Sequence, residues 1–453
     1  MIAFVRMFRP AFAFFCALAC LFASVSVKAQ PQPGTVLWSY PTPFQITASP
    51  AMAPDGTIYL GTQGALYAIT NAGSNKWTYP ANLAGSPAIG TDGTIYFGDY
   101  GGIFYALNPD RSQKWEYSAQ HGIASSPAIA SDNSVYFVAS GHVIALNPAG
   151  AMKWDRQIDG DSGPVLLSPV IGADETIYIG SAGGERLYAF SPDGTKQWQT
   201  SLEHVAGESP AIGSDGTIYV TGGSLYAFSP KGAILWSTTV NTFIGASPAI
   251  GPDGTIYVAT RNDQRLWSFT ANGATNWDAA PGGIFHSPPP TTPAIDSSGM
   301  IYYCASNNVF ALTPAGDIQW RFGIESAPAP LPQTISSPAI GPDGTIYVAF
   351  ENTLYALAGT NALATAPWPM YRQNLRHTGK VEKPSLAPPK KRADANVDIP
   401  VFGEIGQAYT VQSTSNFLNW TSITSFVATT LPTTVPDLTA TNSPTLFYRA
   451  TSP

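Results

Sequence analysis

One twelve-residue phrase, SPAIGPDGTIYV, stands at Ser247–Val258 and again, unchanged, at Ser337–Val348. Near-copies begin at Ser86 (SPAIGTDGTIYF) and Ser209 (SPAIGSDGTIYV). Aligned on Ser-Pro or Thr-Pro, the phrase starts at Ser49, Ser86, Ser126, Ser168, Ser209, Ser247, Thr292 and Ser337, with spacings of 37 to 45 residues. A period near 40 means one supersecondary unit used repeatedly, each unit burying the apolar face of the next.

Local chemistry makes each unit β. Asp-Gly tolerates the positive φ that tight hairpin turns demand. TIYV is β-branched and aromatic, which favours strands. A loop follows, then a second apolar run such as LYAF, a second turn (SPDGT, NPAGA), and a strand carrying tryptophan. Four short antiparallel strands per unit make one propeller blade. The abundance of glycine (42) and proline (40), with only 11% charged residues, suits such a turn-rich chain.

A solenoid is the competing architecture, and the tryptophans decide against it. The first seven units are followed by Trp77, Trp115, Trp154, Trp198, Trp236, Trp277 and Trp320, but the eighth, Ser337 to Leu357, lacks a normal fourth strand. An orphan fourth strand, GTVLWSY with Trp38, stands at Gly34–Tyr40. Pairing the orphan with the incomplete unit closes a ring and removes the open sheet edges. The reading is an all-β, eight-bladed β-propeller. Its inner strands use Ser, Pro and Ala where space is short, with proline on a sheet edge that needs no N–H. The outer tryptophans pack into the joints between blades.

Leu-Tyr-Ala-Leu/Phe, a glycine turn and then Trp resembles the pyrroloquinoline quinone (PQQ) enzyme repeat and its non-enzymatic relatives, over roughly Gly34 to Gly379. The segment WPMYRQNLRHTG (Trp368–Gly379) resembles the phrase that closes such propellers. The resemblance implies the propeller fold. The family includes periplasmic quinoprotein dehydrogenases, the propeller lipoprotein of the outer-membrane β-barrel assembly machinery, and secreted propellers.

The chain divides into a signal segment 1–29, the propeller 30–379, a Pro- and charge-rich linker 380–400, and a small β module 401–453. Arg6 and Arg9 precede a short apolar run from Pro10 to Phe22, and Val27 and Ala29 fit a cleavage site, so the mature chain starts at Gln30 without a transmembrane segment. Acylation at Cys20 is the second reading, with Leu18 one position off the usual lipobox. The module ends in Phe447–Ala450, a close that resembles a C-terminal module of secreted bacterial proteins. Loss of Arg6, Arg9 and Lys28 takes the formal charge from −7 to −10, and an acidic surface argues against nucleic acid. Cys304 is left alone in the mature chain, so no intramolecular disulfide forms.

Quinoprotein dehydrogenases hold PQQ with a Ca²⁺, a catalytic Asp and often adjacent cysteines. None of these transfers: no two cysteines are adjacent, and most aspartates (Asp55, Asp92, Asp193, Asp215, Asp253, Asp343) are explained by turns. GDSGP at Gly160–Pro164 lacks the histidine context of a serine nucleophile. The chain is therefore read as binding no cofactor or metal and as a non-enzymatic binding scaffold for a protein or glycan. The alternatives are a degenerate quinoprotein-type oxidoreductase or hydrolase on the same face, and a spacer for the C-terminal module.

The Asp-Gly turns repeat almost unchanged. The connections from Trp to the next Ser/Thr-Pro, and the loops between strands two and three, vary and open on one face. That face, around the mouth of the channel, is the expected ligand-binding surface, with Asp99, Tyr100, His121, Asp161, Glu185, Arg186, His204, Arg261, Asp263 and His286 as contacts.

Overall fold

The computed structural model describes residues 31–453 except 159–166, 182–184, 203–208, 241–243, 281–290, 306, 324–335, 365, 367–368, 375, 382–384, 387–389, 392–396, 403–407, 415–420, 428–432, 438–446 and 452–453. No helix among the described residues is long and apolar enough to cross a membrane.

Each repeat folds as read: four antiparallel strands, shortest innermost. In the second blade they are Ala88–Ile89, Ile95–Gly98, Ile103–Leu107 and Gln113–Ser118. The innermost strand has only two residues because proline lacks an N–H and the serine before it is tied to the next blade. Asp92 braces the first turn, its Oδ1 accepting from the Thr94 amide at 3.0 Å. The same brace recurs at Asp55, Asp174, Asp215, Asp253 and Asp343.

Eight such sheets form the ring, and the last is completed from the other end of the chain. Val36–Pro41 pairs antiparallel with Thr353–Leu357, Trp38 opposite Ala356 and Pro41 opposite Thr353. The orphan tryptophan strand is thus the outer strand of the eighth blade.

Two circuits of hydrogen bonds knit neighbouring blades. Around the axis, at six of the eight joints, the amide of the Ser or Thr before proline donates to the hydroxyl of its counterpart in the next blade, whereas among the described residues the Ser247 hydroxyl takes no such bond. The bonds run Ser49 to Ser86, Ser86 to Ser126, Ser126 to Ser168, Ser168 to Ser209, Thr292 to Ser337 and Ser337 to Ser49, at 2.8 to 3.2 Å. Around the rim, seven of the outer tryptophans donate from Nε1 to a carbonyl in the next blade's second turn. Examples are Trp38 to Asn71, Trp77 to Pro109, Trp115 to Pro148 and Trp277 to Pro314, each at 2.9 Å. The indole lies over a left-handed turn residue, so close that a Cβ on Gly150 would stand 2.6 Å from Trp115. The apolar core sits in the seams, as where Phe104 stacks on Phe137 with centroids 4.1 Å apart.

The channel-facing edges of the inner strands are not all bare. The segment 369–381, beyond the last blade, crosses the channel at its Asp-Gly end. The amides of Ile89, Ile129, Ile171 and Ile295 donate to the carbonyls of Arg376, Thr378, Gly379 and Pro369 at 2.8 to 2.9 Å. Lys380, buried, pairs with Glu175 at 2.8 Å. The tail of the ring therefore closes one end of the channel.

Farther on, Ser385–Leu386 and Lys390–Lys391, inside the stretch read as a linker, are short strands paired with Val397–Phe402. The apolar alternation Val397, Ile399, Val401 supplies a strand with edges to fill, and the linker residues fill one of them. Ala408–Thr414 pairs with Thr421–Val427 and Phe447–Thr451, and Ile399, Val401, Val411 and Val435 form a small core.

Candidate functional site

The two kinds of variable loop do share a face, and they touch. Isolated bridges join Leu83 to Asp99, Ile123 to Ala139 and Ile244 to Thr260, each linking an incoming connection to the loop between strands two and three of the blade it enters. A partner approaching this end of the ring meets both loops together.

Only part of the expected set lies exposed there. Tyr100 is exposed at the tip of the second blade's loop, anchored by its amide to the Asn82 carbonyl at 3.0 Å. His121, also exposed, enters the third blade beside it. The His121 ring stacks on His142, centroids 6.3 Å apart. His142 Nδ1 is 2.8 Å from Asp155 Oδ1, with both side chains half-exposed. The carboxylate fixes the imidazole through Nδ1, so that any further hydrogen bond of the ring is made by Nε2.

Asp99 is different. It is buried, its Oδ1 accepting from the Ile103 amide at 2.8 Å and its Oδ2 from the Tyr105 hydroxyl at 3.2 Å. Burial, and then the Asp99 charge, push the Tyr105 phenol pKa up. Asp99 shapes the loop that presents Tyr100.

Glu185 and Arg186 lie on the fourth blade, Glu185 exposed with a left-handed φ of 47°. Arg261 and Asp263 lie on the sixth. There Asp263 accepts from the Thr260 hydroxyl and sits 3.7 Å from Arg265, which also binds Asp278, so its charge is committed within the blade. Arg261 stays exposed. Asp161, His204 and His286 fall outside the described residues.

His142 and Asp155 were not among the expected contacts. His142 opens its strand opposite Gln157, which sets Asp155 two residues along the same face of the sheet. The clue was the position of Asp155 directly after Trp154, the marker of the fourth strand. Among the described residues no group of three or more His, Cys, Asp or Glu could hold a metal. Cys304 is buried in the core, which raises its thiol pKa to about 12 and makes it inert.

Four-stranded blades in a ring of eight, closed by an N-terminal strand, define a PQQ-like β-propeller. The chain belongs to the family described as outer membrane protein assembly factor BamB, whose model matches residues 23–184 and 183–369. The structure of BamB from Moraxella catarrhalis is similar at a TM-score of 0.60 and 16% identity, covering 72% of this chain and 99% of that one. The C-terminal WD40 domain of Sif2 is similar at a TM-score of 0.59 and 12% identity, covering 73% and 99%. At such identities the likeness is one of fold. Comparison with curated proteins finds no match.

Proposed function

We propose that this chain is an exported propeller of the cell envelope that binds a protein partner on its loop face, without catalysis and without a quinone. The observation that carries the reading is the asymmetry of the ring. The Asp-Gly end is covered by the chain's own segment 369–381, whereas the opposite end presents Tyr100, His121 and His142 to solvent. An exposed aromatic beside a carboxylate-oriented histidine suits a protein interface, where aromatic side chains carry much of the binding energy. The family's assembly-factor description supports a protein partner. The loops on blades four and six, with Glu185, Arg186 and Arg261, extend the same surface.

Pull-down from an envelope extract tests the reading. Tyr100→Ala with His121→Ala should lose a partner that wild type captures, while Thr91→Ala on the Asp-Gly face retains it. Loss only from the Thr91 variant, or only on deleting residues 401–453, would contradict the assignment.

A further inference from the structure

Among the described residues, one buried charge of the closing segment has no counter-charge. Arg372 is 1% exposed and His377 is 0% exposed. The guanidinium donates from Nη1 to the Pro169 carbonyl at 2.6 Å and from Nη2 to the Pro127 carbonyl at 2.7 Å. These are the prolines of the Ser-Pro steps in blades four and three, so the guanidinium reaches the channel wall itself. Its Nε–H has no partner, and the His377 ring faces the Pro87 carbonyl without either ring nitrogen meeting it at hydrogen-bond geometry. Among the described residues no carboxylate hydrogen-bonds Arg372. Lys380, a few residues on and also buried, has Glu175. A chain with net charge −7 does not lack carboxylates. Arg372 is instead held by neutral carbonyls, in full burial.

The backbone keeps it there at a cost. Arg372, Gln373 and His377 all have left-handed φ, at 59°, 76° and 55°. Such residues are strained and persist where the surroundings over-determine them. Gly379 cradles the guanidinium so closely that a Cβ there would collide with Nη2. Buried charges are stable when paired, and an unpaired one is strongly penalised.

We propose that Arg372 and His377 hold a small monovalent anion of the chloride class inside the channel, with Nε–H and the imidazole N–H as donors. Carbonyl oxygens already fill the Nη side, so the ion sits on the Nε side. Full burial favours a small monovalent ion, because phosphate and sulfate carry more charge and hydration and cost more to desolvate. Its role is to lock segment 369–381 into the channel, and the site is independent of any partner on the loop face.

Two measurements on the full exported chain test this. Thermal unfolding from 0 to about 0.3 M chloride, with gluconate holding ionic strength constant, should show a saturable rise in Tm of about 2 °C, as for any ligand that binds only the folded state. Arg372→Met should abolish the rise. Crystals grown in bromide should show an anomalous peak within hydrogen-bond distance of Arg372 Nε, which stands even if the variant does not fold. Water alone at that position, a Tm indifferent to chloride, or a rise that survives Arg372→Met would overturn the proposal.

Discussion

The amide of Ser337 donates to the hydroxyl of Ser49 at 3.0 Å, across 288 residues of sequence. That bond joins the last repeat to the first on the axis, as Trp38 to Asn71 does on the rim. The repeated serine is therefore a fastener between blades. Ser49→Ala leaves a buried Ser337 amide unpaired and should cost about 1–3 kcal/mol, read as a lower urea midpoint with unchanged m.

Closure by the first strand has a larger effect. Deleting residues 31–41 uncovers the edge of Thr353–Leu357 and removes Trp38 from its place over Gly73. Melting temperature should fall by many degrees. Trp38→Ala alone, at a half-buried site, should cost about 2–3 kcal/mol, below the range for a fully buried tryptophan. An unchanged melting temperature for the deletion would contradict the ring closure.

Seven seams put glycine beneath the tryptophan, but the seam after the first blade has Arg111, at φ 78°. A left-handed non-glycine residue is strained by about 1–2 kcal/mol. Arg111→Gly should stabilise the protein by about 0.5–1 kcal/mol, after allowance for the greater freedom of glycine when unfolded. Gly150→Ala, the reverse change under Trp115, should destabilise it. Equilibrium unfolding of both variants checks the pair.

Acid should weaken the closing segment through His377. Burial first, and then the Arg372 guanidinium, lower its pKa to about 3, with the Pro87 carbonyl acting the other way. Between the ordinary value near 6.5 and about 3, the unfolded chain binds a proton that the folded one does not. Stability is therefore full above about pH 6.5 and falls with pH in that window, by up to about 1.4 kcal/mol per unit. His377→Gln should flatten the decline between pH 6.5 and 4.5, where the paired carboxylates are still ionised. An identical slope in the variant would contradict this.

PQQ with Ca²⁺ should neither shift the melting temperature nor support dye-linked oxidation of alcohols or sugars. A signal dependent on added PQQ would overturn the non-enzymatic reading.

The ring was legible because the blades repeat their punctuation: Ser-Pro or Thr-Pro, a tight turn that is Asp-Gly in five of the eight, a β-branched run and Trp. Its closure was legible because Trp38 had no blade of its own. The site was legible only as a face. Asp99 looks like an available carboxylate in a variable loop, yet the Tyr105 hydroxyl that claims it lies six residues away, facing the same loop. The His142–Asp155 pair depends on cross-strand register, which turn residues in the sequence set only indirectly. Arg372 and His377 sit in a phrase recognisable as a propeller close, but their burial needs the assembled channel of three blades contributing Pro87, Pro127 and Pro169.

The central claim is that the loop face meets a protein partner while the Asp-Gly face does not. A photo-crosslinking amino acid placed at position 100 or at position 91, irradiated in living cells, tests it directly. The account predicts a discrete protein adduct from position 100 and none from position 91. Adducts from position 91 alone, or none from position 100, would contradict it.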